Sequence, residues 1–154
     1  MKIKPNYLII PLITIITTTS ASVFTQQGLT DYYKLTPGPI NPPGFIISLA
    51  WTIIYILTPV SALIIANKKT KLKSQILLLF TLNALLNVFW VFLFFTQKMI
   101  YLSIYEILLL ELTNILLVIQ TRKVSKTASN LLYPYLIWVA FATFLNITIY
   151  LVNK

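Results

Sequence analysis

Five apolar runs of membrane length constrain this chain more than any other feature. They cover residues 7–25, 45–66, 76–95, 99–119 and 131–152. Each holds about 20 residues, which is enough to cross the hydrocarbon core of a bilayer as an α-helix. Because backbone N–H and C=O groups must pair within a segment inside lipid, helices are expected, and runs such as Ile76-Leu77-Leu78-Leu79 lack the alternation of barrel strands. The sequence therefore predicts an all-α fold: a single domain over residues 1–154 that forms an integral membrane bundle of five transmembrane helices.

Composition excludes several kinds of chemistry. Charged residues make up 10% of the chain, and it contains no histidine and no cysteine. Histidine-based zinc or haem ligation, thiol nucleophiles and disulfides are therefore impossible, so we expect no metal and no required cofactor. The net charge of +9 does not indicate nucleic-acid binding, because the basic residues lie at the ends of the apolar runs and not along one face. A lipid bilayer is the partner that this pattern favours.

Positive charge also predicts the topology. Nine basic residues fall at the N-terminus and in the second and fourth connections, whereas Lys34, Lys98 and Lys154 fall on the other side. By the positive-inside rule, the N-terminus is cytoplasmic and the C-terminus is outside. A bacterial cell membrane fits this sorting, with an organelle membrane as the alternative. Lys2 and Lys4 before an apolar stretch also resemble the start of a signal peptide, but we favour a retained span.

The connection over residues 26–44 differs from the other, shorter ones. It contains all three glycines and four prolines. It also carries Asp31, Tyr32 and Tyr33. Long connections in compact domains are commonly functional. We therefore expect this loop to form a lid over one end of the bundle.

Polar and aromatic side chains inside the spans suggest a cavity. Asn83 and Asn87 share one helical face that continues to Trp90 and Phe94, so this face should point into the bundle. Interhelical hydrogen bonding is one interpretation of the two amides, and the polar edge of a ligand cavity is the other. Trp51 and Trp138 lie too deep in their spans to be interfacial anchors. They either pack in the core or line a flat aromatic cavity under the first loop, suited to a planar ligand.

The fourth span contains two carboxyl groups, Glu106 and Glu111. A carboxyl group inside a membrane is costly and by default suggests function. The two residues point roughly 140° apart on an ideal helix, which is poor geometry for a paired acid and base. A proton-coupled exporter that uses one of them is therefore an alternative function. Pro59 and Pro134 could kink the second and fifth helices in such a mechanism.

Several motifs together resemble the translocator protein family, whose bacterial members are called tryptophan-rich sensory proteins. The first motif is Tyr32-x-x-Leu35 followed by Asn41-Pro42-Pro43-Gly44 and Trp51, and Asn83-x-x-x-Asn87 and Glu106 are similar to the third- and fourth-helix patterns. The most specific motif is Pro134-Tyr135-Leu136-x-Trp138-x-x-Phe141-Ala142-Thr143-x-Leu145-Asn146. Asp31 stands where the family has tryptophan, Pro37-Gly38 where it has Lys-Pro, and Ile40 where it has an aromatic residue.

The resemblance implies a five-helix receptor or sensor that often forms homodimers. It implies binding of protoporphyrin IX and other tetrapyrroles, and of isoquinoline carboxamide or benzodiazepine-type drugs, in a cavity under the first loop. Some bacterial members degrade protoporphyrin in light, and the tryptophans required match Trp51 and Trp138. A light-dependent enzyme is therefore a further alternative, with those two residues as its catalytic groups. The candidate ligand-binding residues are Tyr32, Pro42, Pro43, Trp51, Tyr55, Asn83, Asn87, Trp90, Trp138, Ala142 and Asn146.

Overall fold

The computed structural model describes residues 4–154, which form helices joined by short connections and contain no β-strand. Its helices are α1 (Asn6–Tyr32), α2 (Gly44–Ala66), α3 (Lys73–Val91) with a π-helical turn (Phe92–Thr96), α4 (Ile100–Arg122), α5 (Lys126–Asn130) and α6 (Tyr133–Asn153). Five spans are long and apolar enough to cross a membrane, the third including the π turn and the fifth combining α5 and α6. The prediction of an all-α bundle with five spans is confirmed. Lys2, counted in the charge argument, lies outside the described residues.

The first helix is longer than its apolar run. Helix α1 continues to Tyr32 because polar residues after position 25 still form helical backbone bonds, such as Tyr33 N–H to Leu29 O at 3.1 Å. The predicted loop over residues 26–44 is therefore corrected to 33–43. The expectation that Pro134 could kink the fifth span is also wrong. This proline lies in the first turn of α6, where a missing N–H costs no helical bond.

The spans form a ring in the order α1, α2, α6, α4 and α3. Helix α4 packs against both α3 and α6 and buries a continuous face from Ser103 to Thr121. Helix α1 lies at the periphery and packs mainly on α2, α3 and the π turn. Most of its apolar side chains remain exposed to the surroundings of the bundle. This exposure is expected of a helix whose outer face meets lipid.

The two ends of the bundle have separate cores. We call the end that carries residues 33–43 the loop end, and the end that carries the α2–α3 and α4–α5 connections the lysine end. The loop-end core combines aliphatic side chains with three buried aromatic ones, Trp90, Phe94 and Tyr135. The lysine-end core consists of smaller aliphatic side chains together with Phe80. Its members are Ala62, Ile65, Ile76, Phe80, Leu117, Val118, Ala128 and Leu132.

Serine hydroxyls fasten the lysine end. Ser61 Oγ donates to the Ala128 carbonyl at 2.8 Å, and Ser129 Oγ donates to the Val118 carbonyl at 3.0 Å. Ser125 caps α5 by accepting the Ala128 N–H. These bonds join α2, α4 and α5 across buried surface, where a hydroxyl without a partner would be costly. The lysine end is therefore held both by packing and by satisfied polar groups.

The π-helical turn meets α1 at one very close contact. Gly28 of α1 lies directly against the backbone of Phe95, and a β-carbon at this glycine would overlap the Phe95 carbonyl oxygen. A π turn widens the helix locally and is common near functional sites. Here it places Phe94 and Phe95 beside Tyr32, with ring centroids 6.0 and 5.6 Å away. The close approach therefore fixes α1 beside the aromatic residues of the loop end.

Candidate functional site

A large cavity lies at the loop end, between residues 33–43, α1, α2, the π turn and α6. Its volume is about 580 Å³, within the range of about 300–1,000 Å³ that is usual for small-molecule sites. We call it the aromatic cavity. Of the candidate residues, it brings together Tyr32, Pro42, Pro43, Trp51, Trp90, Trp138, Ala142 and Asn146.

Trp51 forms a flat wall of this cavity. Its ring stacks on Trp90, with centroids 6.0 Å apart and planes inclined by 27°. It also stacks on Tyr55 at 5.6 Å and meets the edge of Tyr135 at 6.2 Å. These offset and edge contacts are the favourable arrangements for aromatic rings. Trp51 is thereby held as a rigid surface that a planar molecule can contact.

Trp138 lines the same cavity and carries a hydrogen-bond donor that is unpaired within residues 4–154. Its Nε1 atom is buried and has no hydrogen-bond partner in the described part of the chain. Its ring packs on Phe141 one turn along α6, with centroids 5.6 Å apart. A buried indole N–H usually has a partner. Among the described residues, this donor therefore lacks the partner that a buried indole N–H usually has.

Asn146 has a supporting role in the arrangement. Its Oδ1 accepts from Trp90 Nε1 at 3.4 Å, and its side chain bonds with Ser103 at 3.1 Å. Its Nδ2 also lies 3.4 Å from the Ile100 carbonyl. Because both ends of the amide contact protein atoms, Asn146 orients Trp90 and joins α6 to α4. Ser103 was not anticipated from the sequence.

The loop over the cavity is fastened to the end of α6. Asn153 Oδ1 accepts the Thr36 N–H, and Asn153 Nδ2 donates to the Thr36 carbonyl, both at 2.9 Å. Asp31, at the end of α1, forms ion pairs with Lys34 at 2.7 Å and Lys98 at 2.6 Å. Gly38 approaches Thr148 so closely that a β-carbon there would press on the threonine side chain. The loop thus has three separate attachments to the helices below it.

Three candidate residues lie elsewhere. Tyr55, Asn83 and Asn87 line a second cavity of about 170 Å³ between α1, α2 and α3, which we call the amide cavity. The predicted burial of the Asn83 and Asn87 face is confirmed, since the two residues are 2% and 1% exposed. Asn83 Nδ2 donates to Thr113 at 2.8 Å and to Asn114 at 2.9 Å, so it joins α3 to α4. The structure therefore divides the predicted site into two cavities.

The two carboxyl groups of α4 have different surroundings. Glu106 is buried, and neither of its oxygens has a hydrogen-bond partner among residues 4–154. Glu111 is partly exposed and lies 3.4 Å from Asn114 Nδ2. This difference in burial agrees with the prediction that Glu106 and Glu111 lie on different faces of α4. Within the described residues, no group of three acidic side chains is placed to hold a metal ion.

Several lining residues were missed by the sequence analysis. On α6, Leu145 and Ile149 continue the face of Trp138 and Ala142 at helical spacing, a signal that could have identified them. On α2, Ser48 precedes Trp51 by one turn and lines the same cavity. Phe95 lines the cavity through the π turn, which no pattern in the sequence indicated. Phe94 beside it was expected on the inward face of the third span.

Comparison with known proteins decides the family. The model of the TspO/MBR family matches residues 8–151, nearly the whole chain. The chain belongs to the TspO/MBR family. It is 34% identical over 133 residues to the tryptophan-rich protein TspO of Bacillus cereus, covering 86% of this chain and 87% of the relative. The TspO proteins of Chlorobaculum tepidum and Archaeoglobus fulgidus are each 33% identical, covering 87% of this chain and 87% and 88% of the relative.

Membership in the TspO/MBR family agrees with the five spans and with an integral membrane protein. It supports a membrane receptor or sensory role for this chain. The resemblance seen in the sequence is thereby confirmed at the level of the family.

Proposed function

We propose that the protein is a membrane receptor that binds planar tetrapyrroles, with protoporphyrin IX as their representative, in the aromatic cavity. The observation that carries the proposal is that Trp51 and Trp138, which belong to different helices, line one cavity of about 580 Å³. A cavity of this size suits a small molecule, and aromatic walls suit a flat conjugated one.

The polar groups of the cavity support a ligand with hydrogen-bonding edges. The indole N–H of Trp138 is available to a carboxylate or a ring nitrogen of the ligand, since residues 4–154 offer it no acceptor. Gln26, Asn41 and Ser48 add polar atoms to the lining. A few placed polar groups on a mostly apolar wall are what orients a small molecule in its site. The same features suit isoquinoline carboxamide or benzodiazepine-type compounds.

The test is a titration of the detergent-purified protein with protoporphyrin IX in the dark, read by porphyrin absorbance. Wild type should show saturable binding with a micromolar midpoint. Trp51→Phe and Trp138→Phe should each weaken it, roughly threefold to tenfold, because an aromatic contact or hydrogen bond is worth about 0.5–1.5 kcal/mol.

Tyr105→Phe is the matched control, since Tyr105 is exposed on α4 and does not line the cavity. Its binding midpoint should equal that of wild type. The proposal is wrong if wild type shows no saturable binding, or if all three variants bind alike.

A light-dependent reaction on the bound porphyrin is a second candidate function. It is favoured by the presence of two indoles, Trp51 and Trp138, in the wall of one cavity. An excited porphyrin can oxidise an indole that it contacts. Illumination of the complex should then change the porphyrin spectrum in wild type and not in Trp51→Phe or Trp138→Phe. Equal changes in wild type and both variants would leave binding as the function.

Proton-coupled export is a third candidate, favoured by the burial of Glu106 without a partner among the described residues. It predicts that a pH gradient drives porphyrin flux in vesicles and that Glu106→Gln abolishes the flux. Glu111→Gln is the matched comparison, because Glu111 is partly exposed. Flux that is independent of the gradient would exclude this function.

We also propose that the lysine end faces the cytoplasm of a bacterial cell and that the aromatic cavity opens on the outer side. Eight described basic residues support this orientation: Lys4, Lys68, Lys69, Lys71, Lys73, Arg122, Lys123 and Lys126. Since the chain has no cysteine, Lys69→Cys and Thr36→Cys can each be labelled with an impermeant maleimide. In intact cells, label on Thr36→Cys alone is expected, and label on Lys69→Cys alone would reverse the orientation.

A further inference from the structure

We propose that the amide cavity is a second ligand site, separate from the aromatic cavity. It would take a compact apolar molecule of one aromatic ring that carries a single hydrogen-bond acceptor, such as an aryl ketone. This site is independent of the proposed tetrapyrrole binding.

The two cavities are separated by one layer of aromatic rings. Tyr55 and Tyr135 line the amide cavity, and both contact Trp51, which lines the aromatic cavity. No described residue lines both cavities. The amide cavity extends from this layer toward the lysine end, reaching Asn6 and Ala62. A molecule in one cavity therefore contacts different side chains from a molecule in the other.

The size of the amide cavity limits what it can hold. Its volume is about 170 Å³, and an apolar protein cavity of about 150 Å³ can hold benzene. Its walls are largely apolar, with Ile10, Ile13, Ile54 and Phe80 among the lining residues. One substituted ring fits this volume, whereas a tetrapyrrole is too large.

Asn87 supplies a fixed donor. The residue is 1% exposed, and its Oδ1 accepts the Tyr55 hydroxyl at 2.9 Å, which sets the orientation of the amide. Its Nδ2 is buried and lies near the Tyr135 hydroxyl, but it makes no hydrogen bond of acceptable geometry within the part of the chain that the structure describes. An amide N–H left unpaired in an apolar interior is costly. An acceptor on a bound molecule would remove that cost.

Thr58 supplies a second polar group. Its Oγ1 is likewise buried without a partner within the described residues. The other threonines of this cavity, Thr14, Thr17 and Thr81, each donate to the carbonyl four residues earlier in their own helix. Thr58 is therefore the exception among them, because its hydroxyl is not already bonded to its own helix. The chemistry indicated is one acceptor oxygen on an otherwise apolar ring.

The test uses 4-fluoroacetophenone as the probe and the protein in lipid nanodiscs, with binding followed by ¹⁹F NMR. 1-Fluoro-4-isopropylbenzene is the matched hydrocarbon, since it keeps the shape and lacks the acceptor oxygen. We expect saturable binding of the ketone that is roughly threefold to tenfold tighter than that of the hydrocarbon, the effect of one neutral hydrogen bond.

Four variants locate the site. Thr58→Val and Asn87→Leu should each reduce the preference for the ketone, and Ala84→Leu, which fills the cavity, should abolish saturable binding of both probes. Thr81→Val is the matched control, because it makes the same change at a lining hydroxyl that already has a backbone acceptor. Should Asn87→Leu fail to fold, Thr58→Val still tests the polar contact.

Three outcomes would overturn the inference. Absence of saturable binding would mean that the cavity holds only water or lipid chains. Equal affinity for the two probes would mean that the buried donors are not used. Displacement of the ketone by protoporphyrin IX, together with its loss in Trp138→Phe, would place the probe in the aromatic cavity. The porphyrin titration is measured separately, so the two proposals can fail independently.

Discussion

The two ends of the bundle are built from the same helices but differ in how tightly their side chains pack. At the lysine end, aliphatic side chains such as Ile65 and Leu117 are completely buried, and serine hydroxyls bond across the helices. At the loop end, aromatic rings surround a cavity of about 580 Å³. Close packing and interhelical hydrogen bonds both drive helix association in a membrane. The difference indicates that packing at the lysine end holds the bundle together, whereas the loop end is packed less tightly and contains the aromatic cavity.

The largest expected effect comes from removing the same side chain at each end. Leu117→Ala should destabilise the protein by about 2–5 kcal/mol, because it opens a void in a closed core. Leu145→Ala should cost clearly less, since Leu145 is partly exposed and already borders the aromatic cavity. Unfolding of both variants in the same detergent would measure the difference. Equal losses would show that the loop end is packed as tightly as the lysine end.

A second, smaller effect is expected where α1 meets the π turn. Gly28→Ala should cost about 1–3 kcal/mol, because the new methyl group overlaps the Phe95 backbone and overpacking of this kind forces a shift. Gly44→Ala is the control, as no atom of residues 4–154 lies within 4 Å of a β-carbon at that position. Apparent melting temperatures would be compared, and an unchanged value for Gly28→Ala would contradict the close contact.

A third effect concerns the loop attachment and rests on the proposed porphyrin binding. Asn153→Ala removes two exposed hydrogen bonds to Thr36, worth about 1 kcal/mol together after competition with water. We expect porphyrin to dissociate roughly fivefold faster, with little change in melting temperature. Stopped-flow dissociation would measure this. Asn130→Ala, an exposed asparagine of α5, should dissociate at the wild-type rate, and the same rate in Asn153→Ala would mean that the loop does not limit release.

The smallest effect is expected from the ion pairs of Asp31. Asp31→Asn removes the charge that pairs with Lys34 and Lys98. Partly exposed ion pairs of this kind contribute little and are screened by salt. The melting temperature should fall slightly at low ionic strength, and the difference from wild type should vanish at high salt. A difference that persists at high salt would show that Asp31 acts other than by its charge.

The candidate site was only partly predictable, and the reason lies in helix geometry. Tyr55 follows Trp51 on one face of α2, and Asn87 precedes Trp90 on one face of α3, so periodicity assigns each pair to a common face. Periodicity does not state depth along the bundle. The layer of rings formed by Trp51, Tyr55 and Tyr135 separates the aromatic cavity from the amide cavity. Tyr55 and Asn87 therefore line a different cavity from Trp51.

The end of α1 shows a different limit. Apolar content marks the membrane-length part of a segment, but a helix continues while its backbone bonds can form. The hydrogen bond from Tyr33 N–H to Leu29 O marks the true end of α1. Gly28 is tolerated inside this helix because it meets the Phe95 backbone. That tertiary contact leaves no pattern in the local sequence.

The sequence alone determined the class of this protein, its five spans and its family motifs. Hydrocarbon admits only backbones that satisfy their own hydrogen bonds, and runs of about 20 apolar residues meet that condition as helices. Only the tertiary structure decided which side chains share a cavity. It also decided that the Asn83 amide bonds to a neighbouring helix and that the Asn87 Nδ2 donor, within residues 4–154, does not. Asn83 and Asn87 are the same residue type on one helical face. Asn83 meets Thr113 and Asn114 across the α3–α4 contact, whereas Asn87 meets Tyr55 beside an open cavity. The neighbouring helix, and not the residue, sets the difference.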